Sequence, residues 1–255
     1  MKKILFSVVL FTTLLVSNYA FACDKCGKED PKTQLYGAMQ KLWNEHMQWT
    51  FATVDAFFHN PKGLDAQLNR LLQNQKDIGN AIIPFYGEAA GKQLSQLLTV
   101  HIQEAVPVLT AAKNNDQPGL KKALDDWYVN AQEIADFLAK ANANWKQEDL
   151  RQMMKAHIDQ TTAYAVDLLK NDYTNAITKF DEASGHMNMM SAALAAGIIK
   201  QFPDKFKTSK KLKNIILNQI KNTDYDYYKH FVEKNRNHPE IIQHRFSIVY
   251  FFAKL

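Results

Sequence analysis

The sequence predicts an all-α protein, an up-down antiparallel helical bundle of about six helices. Apolar residues recur at spacings of three and four through long segments, and no window alternates apolar and polar residues with a period of two. Turn-forming residues separate these segments, which are 17–30 residues long. Short loops between helices place neighbours antiparallel, so the same pattern also predicts the bundle topology.

The periodic segments give the predicted helices in order. They cover residues 33–60, 64–81, 88–113, 116–140, 147–170 and 172–201. The breaks between them fall at residues 60–63, 84–87, 114–119 and 142–145, where proline, glycine and asparagine collect. Residues 33–203 are therefore expected to form one helical-bundle domain, which is long enough to bury a core without disulfides.

An internal repeat of about 56 residues runs through this domain and divides it into three helical hairpins. The first helix of each hairpin carries a histidine, and the second carries a polar residue 28–29 positions later. These residues are His46, His101 and His157 on the first helices, and Asn74, Asn130 and His186 on the second. Divergent duplication and shared packing constraints are both compatible with this pattern.

The first 22 residues are predicted to be a secretory signal peptide. Lys2 and Lys3 precede an apolar run over residues 4–16, and Ala-Phe-Ala at 20–22 is a small-x-small cleavage site. The mature chain is therefore expected to begin at Cys23 and to be exported, either periplasmic or secreted. A cysteine directly after the cleavage site also fits a lipoprotein, but the bulky Phe21 disfavours that alternative.

Both cysteines of the chain, Cys23 and Cys26, lie in the short N-terminal segment 23–32. In an exported protein, a pair this close is expected to form a small disulfide loop. A thioredoxin-type redox site would need a surrounding βαβ pattern, which the sequence lacks. Attachment of a c-type haem would need a histidine after the second cysteine, where Gly27 stands.

The charge of the chain is unevenly distributed. Residues 204–255 carry 11 Lys/Arg against 5 Asp/Glu, whereas residues 23–203 carry 18 against 21. The basic, aromatic-rich stretch 204–255 is predicted to be a C-terminal helical extension packed on the bundle. Alternatively, it contacts an acidic lipid surface or a protein partner. Nucleic acid is not an expected partner, because an exported protein rarely meets it and no nucleic-acid motif is visible.

An ordered set of motifs resembles a bacterial family of small all-helical proteins that has no established activity. The motifs are LWxxHxxWT from Leu42, LLTxH from Leu97, WYxNAxEIA from Trp127, HxxxT from His157 and GIIxQFP from Gly197. The resemblance spans about residues 35–203 and implies an all-helical domain. It implies no reaction, cofactor or site residue, and the extension after Pro203 departs from it.

Polar residues on the apolar helix faces are the candidate functional residues. Four of the eight histidines lie on predicted core stripes. They are His46, His101, His157 and His186, with Asn74, Asn130, Thr50 and Thr161 as a possible interior network. Burying such groups unpaired costs about 2–7 kcal/mol, so they are expected to contact one another or a ligand.

Three functions remain open for this set. It could be a structural network of histidine with asparagine or threonine, in a secreted interaction protein. It could instead hold a transition metal such as copper or zinc, or haem, because neutral imidazole binds these groups. Thirdly, Glu104 and Glu182 lie one helical turn from His101 and His186, which would suit acid–base catalysis. No nucleophile motif accompanies them, so we expect an exported binding protein rather than an enzyme.

Overall fold

The computed structural model describes residues 30–207, and the six helices in that range form an antiparallel up-down bundle. The elements are α1 (Pro31–His59), α2 (Pro61–Tyr86), α3 (Glu88–Lys113), α4 (Gln117–Ala141), α5 (Gln147–Leu169), α6 (Tyr173–Gln201) and the 3₁₀ helix η1 (Pro203–Phe206). The all-α bundle predicted from the sequence is confirmed.

Aspartate side chains begin three of the six helices. Asp30, Asp116 and Asp172 each accept a hydrogen bond from a backbone N–H two or three residues later, which satisfies a donor that the helix itself leaves unpaired. The residues before two of these caps, Asn115 and Asn171, have positive φ values of 55° and 61°. Asparagine tolerates this left-handed conformation, so the α3–α4 and α5–α6 turns end one helix and start the next within a few residues.

The predicted break at residues 84–87 is wrong in part, because α2 continues through Pro84 to Tyr86. Proline has no backbone N–H, so one hydrogen bond of the helix is missing at Pro84. The helix tolerates this loss because Pro84 lies close to its end. The helix ends at Gly87, where the backbone turns to a φ of +84° and its N–H still bonds to Ile83 O. Glycine rather than proline therefore separates α2 from α3.

The helices close into a ring around one core. Each helix packs against the next in sequence, α6 packs against α1, and α1 also contacts α5. Apolar side chains from all six helices fill the interior, and Ile134, Ile158, Tyr164, Leu168 and Ile198 are fully buried. This arrangement brings the first helices of the three predicted hairpins, α1, α3 and α5, toward a common centre.

Two glycines let α2 and α3 approach closely near their connecting loop. A Cβ atom on Gly79 would lie 2.5 Å from the carbonyl oxygen of Gly91 and 2.0 Å from Ser95 Oγ. A Cβ atom on Gly91 would lie 2.7 Å from the carbonyl oxygen of Gly79. Each helix backbone therefore occupies the space that a side chain on the other would need.

Gly79→Ala is expected to destabilise the fold by about 2 kcal/mol, because the added methyl group collides with the α3 backbone and overpacks a tight contact. Urea unfolding measures the change. Gly37→Ala is the control, since a Cβ atom there meets nothing within 4 Å on an exposed part of α1. That change should be neutral or stabilising by up to about 1 kcal/mol. Equal effects at both positions would contradict the close contact.

Several sequence predictions lie outside the described residues. They are the signal peptide at 1–22, the Cys23–Cys26 disulfide and most of the basic extension 204–255, and they stay predictions. Within residues 30–207, no helix is long and apolar enough to cross a membrane.

Candidate functional site

Three of the four predicted interior histidines meet in the core of the bundle. His46 on α1, His101 on α3 and His157 on α5 are each at most 3% exposed. The ring centroids of His46 and His157 lie 5.4 Å apart, and those of His101 and His157 lie 5.8 Å apart. We call these three residues the histidine cluster.

Asn130 on α4 fixes the protonation of one member of the cluster, His101. The Asn130 Nδ2 group donates to Leu97 O at 3.2 Å, so its Oδ1 atom is the one that faces His101 Nδ1, at 2.8 Å. An amide oxygen only accepts, and His101 Nδ1 must therefore carry the proton. In the neutral ring, the Nε2 atom then has a free lone pair.

Gln75 on α2 fixes the protonation of His46 in the same way. In His46, however, the proton is not on Nδ1. The Gln75 Nε2 group donates one hydrogen to Leu71 O at 2.8 Å, and its other hydrogen is shared between Asn74 Oδ1 and His46 Nδ1, each at 3.3 Å. An NH₂ group only donates, so the His46 nitrogen that faces it carries no proton. His46 Nδ1 therefore accepts, and the proton of its neutral ring is on Nε2. That Nε2–H group points to His157 Nε2 at 3.5 Å, a long hydrogen bond in which His157 accepts. The proton of His157 is consequently on Nδ1.

Besides the Oε1 atom of Gln75, the network leaves one acceptor and one donor of the histidine cluster without a protein partner among the described residues. Both His101 Nε2 and His157 Nδ1 are buried and make no hydrogen bond within residues 30–207. An unpaired buried polar atom costs about 1–3 kcal/mol, so the cluster is not a fully satisfied structural network. Its two unpaired nitrogen atoms are complementary, because one accepts and the other donates.

All three rings of the cluster are neutral in the folded protein. Burial, and then the neighbouring charge of His101, lower the pKa of His46 to about 3. Burial also lowers the pKa of His101 to about 4, although its bond to Asn130 acts in the opposite direction. The pKa of His157 lies well below its usual range because of burial first, and then because of the other histidines. Neutral imidazole suits an uncharged ligand or a metal ion, but not an anion.

His186, the fourth predicted residue, lies outside the cluster. It is half-buried on α6, and its Nε2 atom donates to the backbone oxygen of Met153 at 2.9 Å. Glu182, its suggested catalytic partner, is exposed. His101 uses Nδ1 for Asn130 rather than for Glu104. Neither histidine–glutamate pair is therefore formed as a catalytic pair would require.

One backbone contact recurs in all three predicted hairpins. In each, the polar residue of the second helix donates to a carbonyl oxygen four residues before the histidine of the first helix. The pairs are Asn74 with Leu42 at 3.0 Å, Asn130 with Leu97 at 3.2 Å and His186 with Met153 at 2.9 Å. The spacing of these pairs along the chain matches the predicted 56-residue repeat, and divergent duplication and shared packing constraints are both compatible with it.

The predicted threonine partners differ from expectation. The Thr50 hydroxyl donates to the backbone oxygen of His46 at 2.7 Å and not to the imidazole ring. A hydroxyl one turn along a helix readily bonds to the carbonyl at i−4, and this local bond takes the place of the expected one. Thr161 is buried beside the cluster, where Thr50 also lies.

A cavity of about 120 Å³ adjoins the histidine cluster. Its lining includes the three histidines, Trp127, Thr50, Thr53 and Thr161, and the remaining lining side chains are apolar. Leu64 and Leu68 on α2 are only half-buried, and Val106 on α3 is 41% exposed. Because these three residues also line the cavity, its apolar end reaches the protein surface between α2 and α3.

The expected four-histidine metal site is not formed in the described part of the chain. No group of three or more His, Cys, Asp and Glu side chains within residues 30–207 is arranged to hold a metal ion. His46 Nε2 and His157 Nε2 lie 3.5 Å apart, which is close enough for two nitrogen ligands of one ion. Haem, with several tens of atoms, is larger than the cavity of about 120 Å³.

Two parts of the site were missed by sequence reasoning. Gln75 is fully buried and orients His46, yet it follows Asn74 directly and is not one of the repeated positions. The only hint in the sequence was that Gln75 directly follows Asn74, a residue predicted to lie in the interior network. The lining residues Leu64 and Leu68 carry only an apolar periodicity, which does not distinguish a cavity wall from ordinary core.

No family model, curated protein or solved structure matches this chain. The resemblance to the helical bacterial family therefore rests on the motifs themselves, and the function has to be argued from the site.

Proposed function

We propose that this protein binds a small molecule in the cavity beside the histidine cluster and does not transform it. The observation that carries the proposal is that two nitrogen atoms of the cluster, His101 Nε2 and His157 Nδ1, are buried and unpaired on residues that line this cavity. Within the described residues, Trp127 Nε1 and the hydroxyl groups of Thr53 and Thr161 are further unpaired buried atoms of its lining. A bound molecule that pairs with both histidine nitrogen atoms removes two desolvation penalties of about 1–3 kcal/mol each.

The size and lining of the cavity define what it accepts. A cavity of about 150 Å³ in another protein binds benzene, so about 120 Å³ suits a single ring or a branched chain of similar size. The wall is mostly hydrocarbon, and the cluster is uncharged. We therefore expect a ligand that is neutral and largely apolar.

Access to the cavity supports binding rather than a purely structural role. The apolar end lies at the surface between α2 and α3, where Val106 is exposed. A small molecule can enter there if side chains move, and helix unfolding is not needed. A buried structural network would need no such opening.

Toluene is the probe for this proposal, because it matches the size and apolarity of the cavity. It is expected to bind the full chain and to raise the Tm, because binding stabilises the folded state by RT ln(1 + L/Kd), where L is the free toluene concentration. Ala105→Leu should abolish this binding, since Ala105 lines the cavity and the substitution adds three carbon atoms. Calorimetric titration and thermal unfolding measure the two effects.

Ala89→Leu is the matched control on the same helix. Ala89 is exposed on α3 and does not line the cavity, so this variant should bind toluene like the unaltered protein. Absence of binding by both toluene and its hydroxylated analogue phenol, or equal binding of toluene by the Ala105→Leu variant, would contradict the cavity as the ligand site.

A second candidate is a metal ion shared by His46 and His157, which requires the ring proton of His46 to move from Nε2 to Nδ1. Their Nε2 atoms lie 3.5 Å apart, close to the spacing of about 3.4 Å for two nitrogen ligands of one tetrahedral zinc. Copper would also accept these neutral imidazoles. Further ligands would have to come from solvent, because the described residues offer no third converging side chain. Equilibrium dialysis of the full chain against Zn²⁺ tests this candidate, and binding well below one ion per chain contradicts it.

Export and partner binding also remain proposals. We propose that the chain carries its ligand outside the cytoplasm, as the predicted signal peptide implies. The alternative is an interaction protein in which the basic residues 204–255 bind an acidic membrane surface or a partner. In that alternative, filling the cavity leaves the function unchanged.

A further inference from the structure

We infer that the ligand is an alcohol or a phenol, that is, a neutral and largely apolar molecule with one hydroxyl group. The oxygen of that group bridges His101 and His157. This inference rests on the proposed function and adds the chemical class of the ligand. It is carried by the direction of each hydrogen bond in the histidine cluster.

The amide of Asn130 determines what His101 needs. Because Leu97 O fixes the orientation of that amide, His101 Nδ1 donates to Asn130 Oδ1 and Nε2 is a bare acceptor. The ligand must therefore supply a hydrogen-bond donor. Ethers, ketones and plain hydrocarbons lack one and would leave His101 Nε2 unpaired.

The amide of Gln75 determines what His157 needs. It donates to His46 Nδ1, His46 donates to His157 Nε2, and the remaining proton of His157 is on Nδ1 without a protein acceptor. The ligand must therefore also supply an acceptor. Amines in their charged form and other pure donors would leave His157 Nδ1 unpaired.

A hydroxyl group meets both requirements with a single atom. The rings of His101 and His157 lie 5.8 Å apart and are inclined by 27°. One hydroxyl oxygen with two hydrogen bonds of about 2.8 Å, set about 110° apart, joins nitrogen atoms about 4.6 Å from each other. Each ring nitrogen lies about 1 Å from its ring centroid, so a centroid separation of 5.8 Å allows that spacing. Carboxylates are disfavoured because both rings are neutral and the surrounding wall is apolar. The hydrocarbon part of the ligand then extends toward the apolar end of the cavity.

Phenol and toluene are the matched probes, because they share a ring and differ in the hydroxyl group. For the full chain and for His101→Leu, titration gives the ratio of the toluene Kd to the phenol Kd. Phenol and toluene differ in water solubility, and this difference affects their Kd values equally in both proteins. It therefore cancels when the ratio is compared between the two proteins. The ratio is expected to fall about tenfold or more in His101→Leu, which lacks the acceptor.

A measurement on the unaltered protein keeps the inference testable if His101→Leu does not fold. In ¹⁵N NMR spectra of the imidazole groups, phenol is expected to shift the His101 Nε2 resonance strongly, because that atom becomes a hydrogen-bond acceptor. Toluene and anisole are expected to leave it nearly unchanged. Both ligands lack a donor, and anisole retains the oxygen.

The outcomes separate this inference from the proposed function. Binding of toluene with no phenol-specific shift, or an unchanged Kd ratio in His101→Leu, overturns the hydroxyl bridge and leaves the cavity as a ligand site. Equal shifts with phenol and anisole also overturn it. If none of the three molecules binds, the proposed function itself fails.

Discussion

Lowering the pH from about 7 to about 5 is expected to destabilise the folded chain by about 6 kcal/mol. The histidines of the cluster have pKa values of about 3 for His46, about 4 for His101 and well below the usual range for His157. In the unfolded chain, each should titrate near 6.5. Below that pH the unfolded state binds protons that the folded state excludes, and each histidine costs about 2 kcal/mol by pH 5.

Urea unfolding between pH 7.5 and pH 5 measures this effect. Stability is expected to be constant above the unfolded pKa of 6.5, and then to fall by about 4 kcal/mol per pH unit as three protons are taken up on unfolding. The lowered carboxyl pKa values of Asp136, Asp159 and Asp172 act only near and below pH 4, outside this window. They therefore do not obscure the result.

His157→Gln isolates the contribution of the cluster. It removes one titrating ring, so the pH slope should decrease by about one proton, or about 1.4 kcal/mol per pH unit. A stability that stays constant from pH 7 to pH 5 would show that the three rings are not held neutral.

Gly197→Ala is the single substitution expected to destabilise the fold most by packing, by about 3 kcal/mol. A Cβ atom at this position of α6 would lie 1.9 Å from Nε1 of Trp145. The indole cannot move aside easily, because it is 7% exposed and its Nε1 group donates to Ala193 O at 3.3 Å. The added methyl group must therefore displace the ring or the helix.

Gly185→Ala on the same helix is the matched control. A Cβ atom there meets nothing within 4 Å, and the position is exposed. Replacing glycine by alanine inside a helix should then stabilise the protein by about 0.5–1 kcal/mol. Opposite signs at the two positions are the expected result in urea unfolding. Destabilisation of similar size at both would mean that helix α6 tolerates alanine poorly for reasons other than Trp145.

The bundle was predictable because helical periodicity is a local property of the sequence. Apolar spacing placed the helices, and it also placed three histidines on faces that meet in the core. The end of α2 was less predictable, because Pro84 looks like a break whereas Gly87 makes it. The choice between them depends on where the backbone needs a positive φ, which the spacing of residues does not reveal.

The site was predictable in its members but not in its chemistry. The sequence suggested, as one alternative, a network of histidine with asparagine or threonine, and the side chains of His101 and Asn130 form a hydrogen bond of 2.8 Å. It also included His186, which instead binds the backbone of α5 at Met153. Whether a polar side chain reaches a ring or a nearby carbonyl depends on distances of about 1 Å between helices. Such distances follow from packing, as does the cavity.

The contact between Gly79 and Gly91 has a mechanical consequence for the α2–α3 pair. It joins the two helices near their loop, whereas Leu64 and Val106 lie 15 residues away along each helix, about 22 Å at 1.5 Å per residue. The pair is thus anchored at one end and has its opening at the other. Small changes of the interhelical angle widen that far end while the anchored end hardly moves. Exchange of a bound molecule should therefore be governed by local hinge motion and not by the rate of global unfolding.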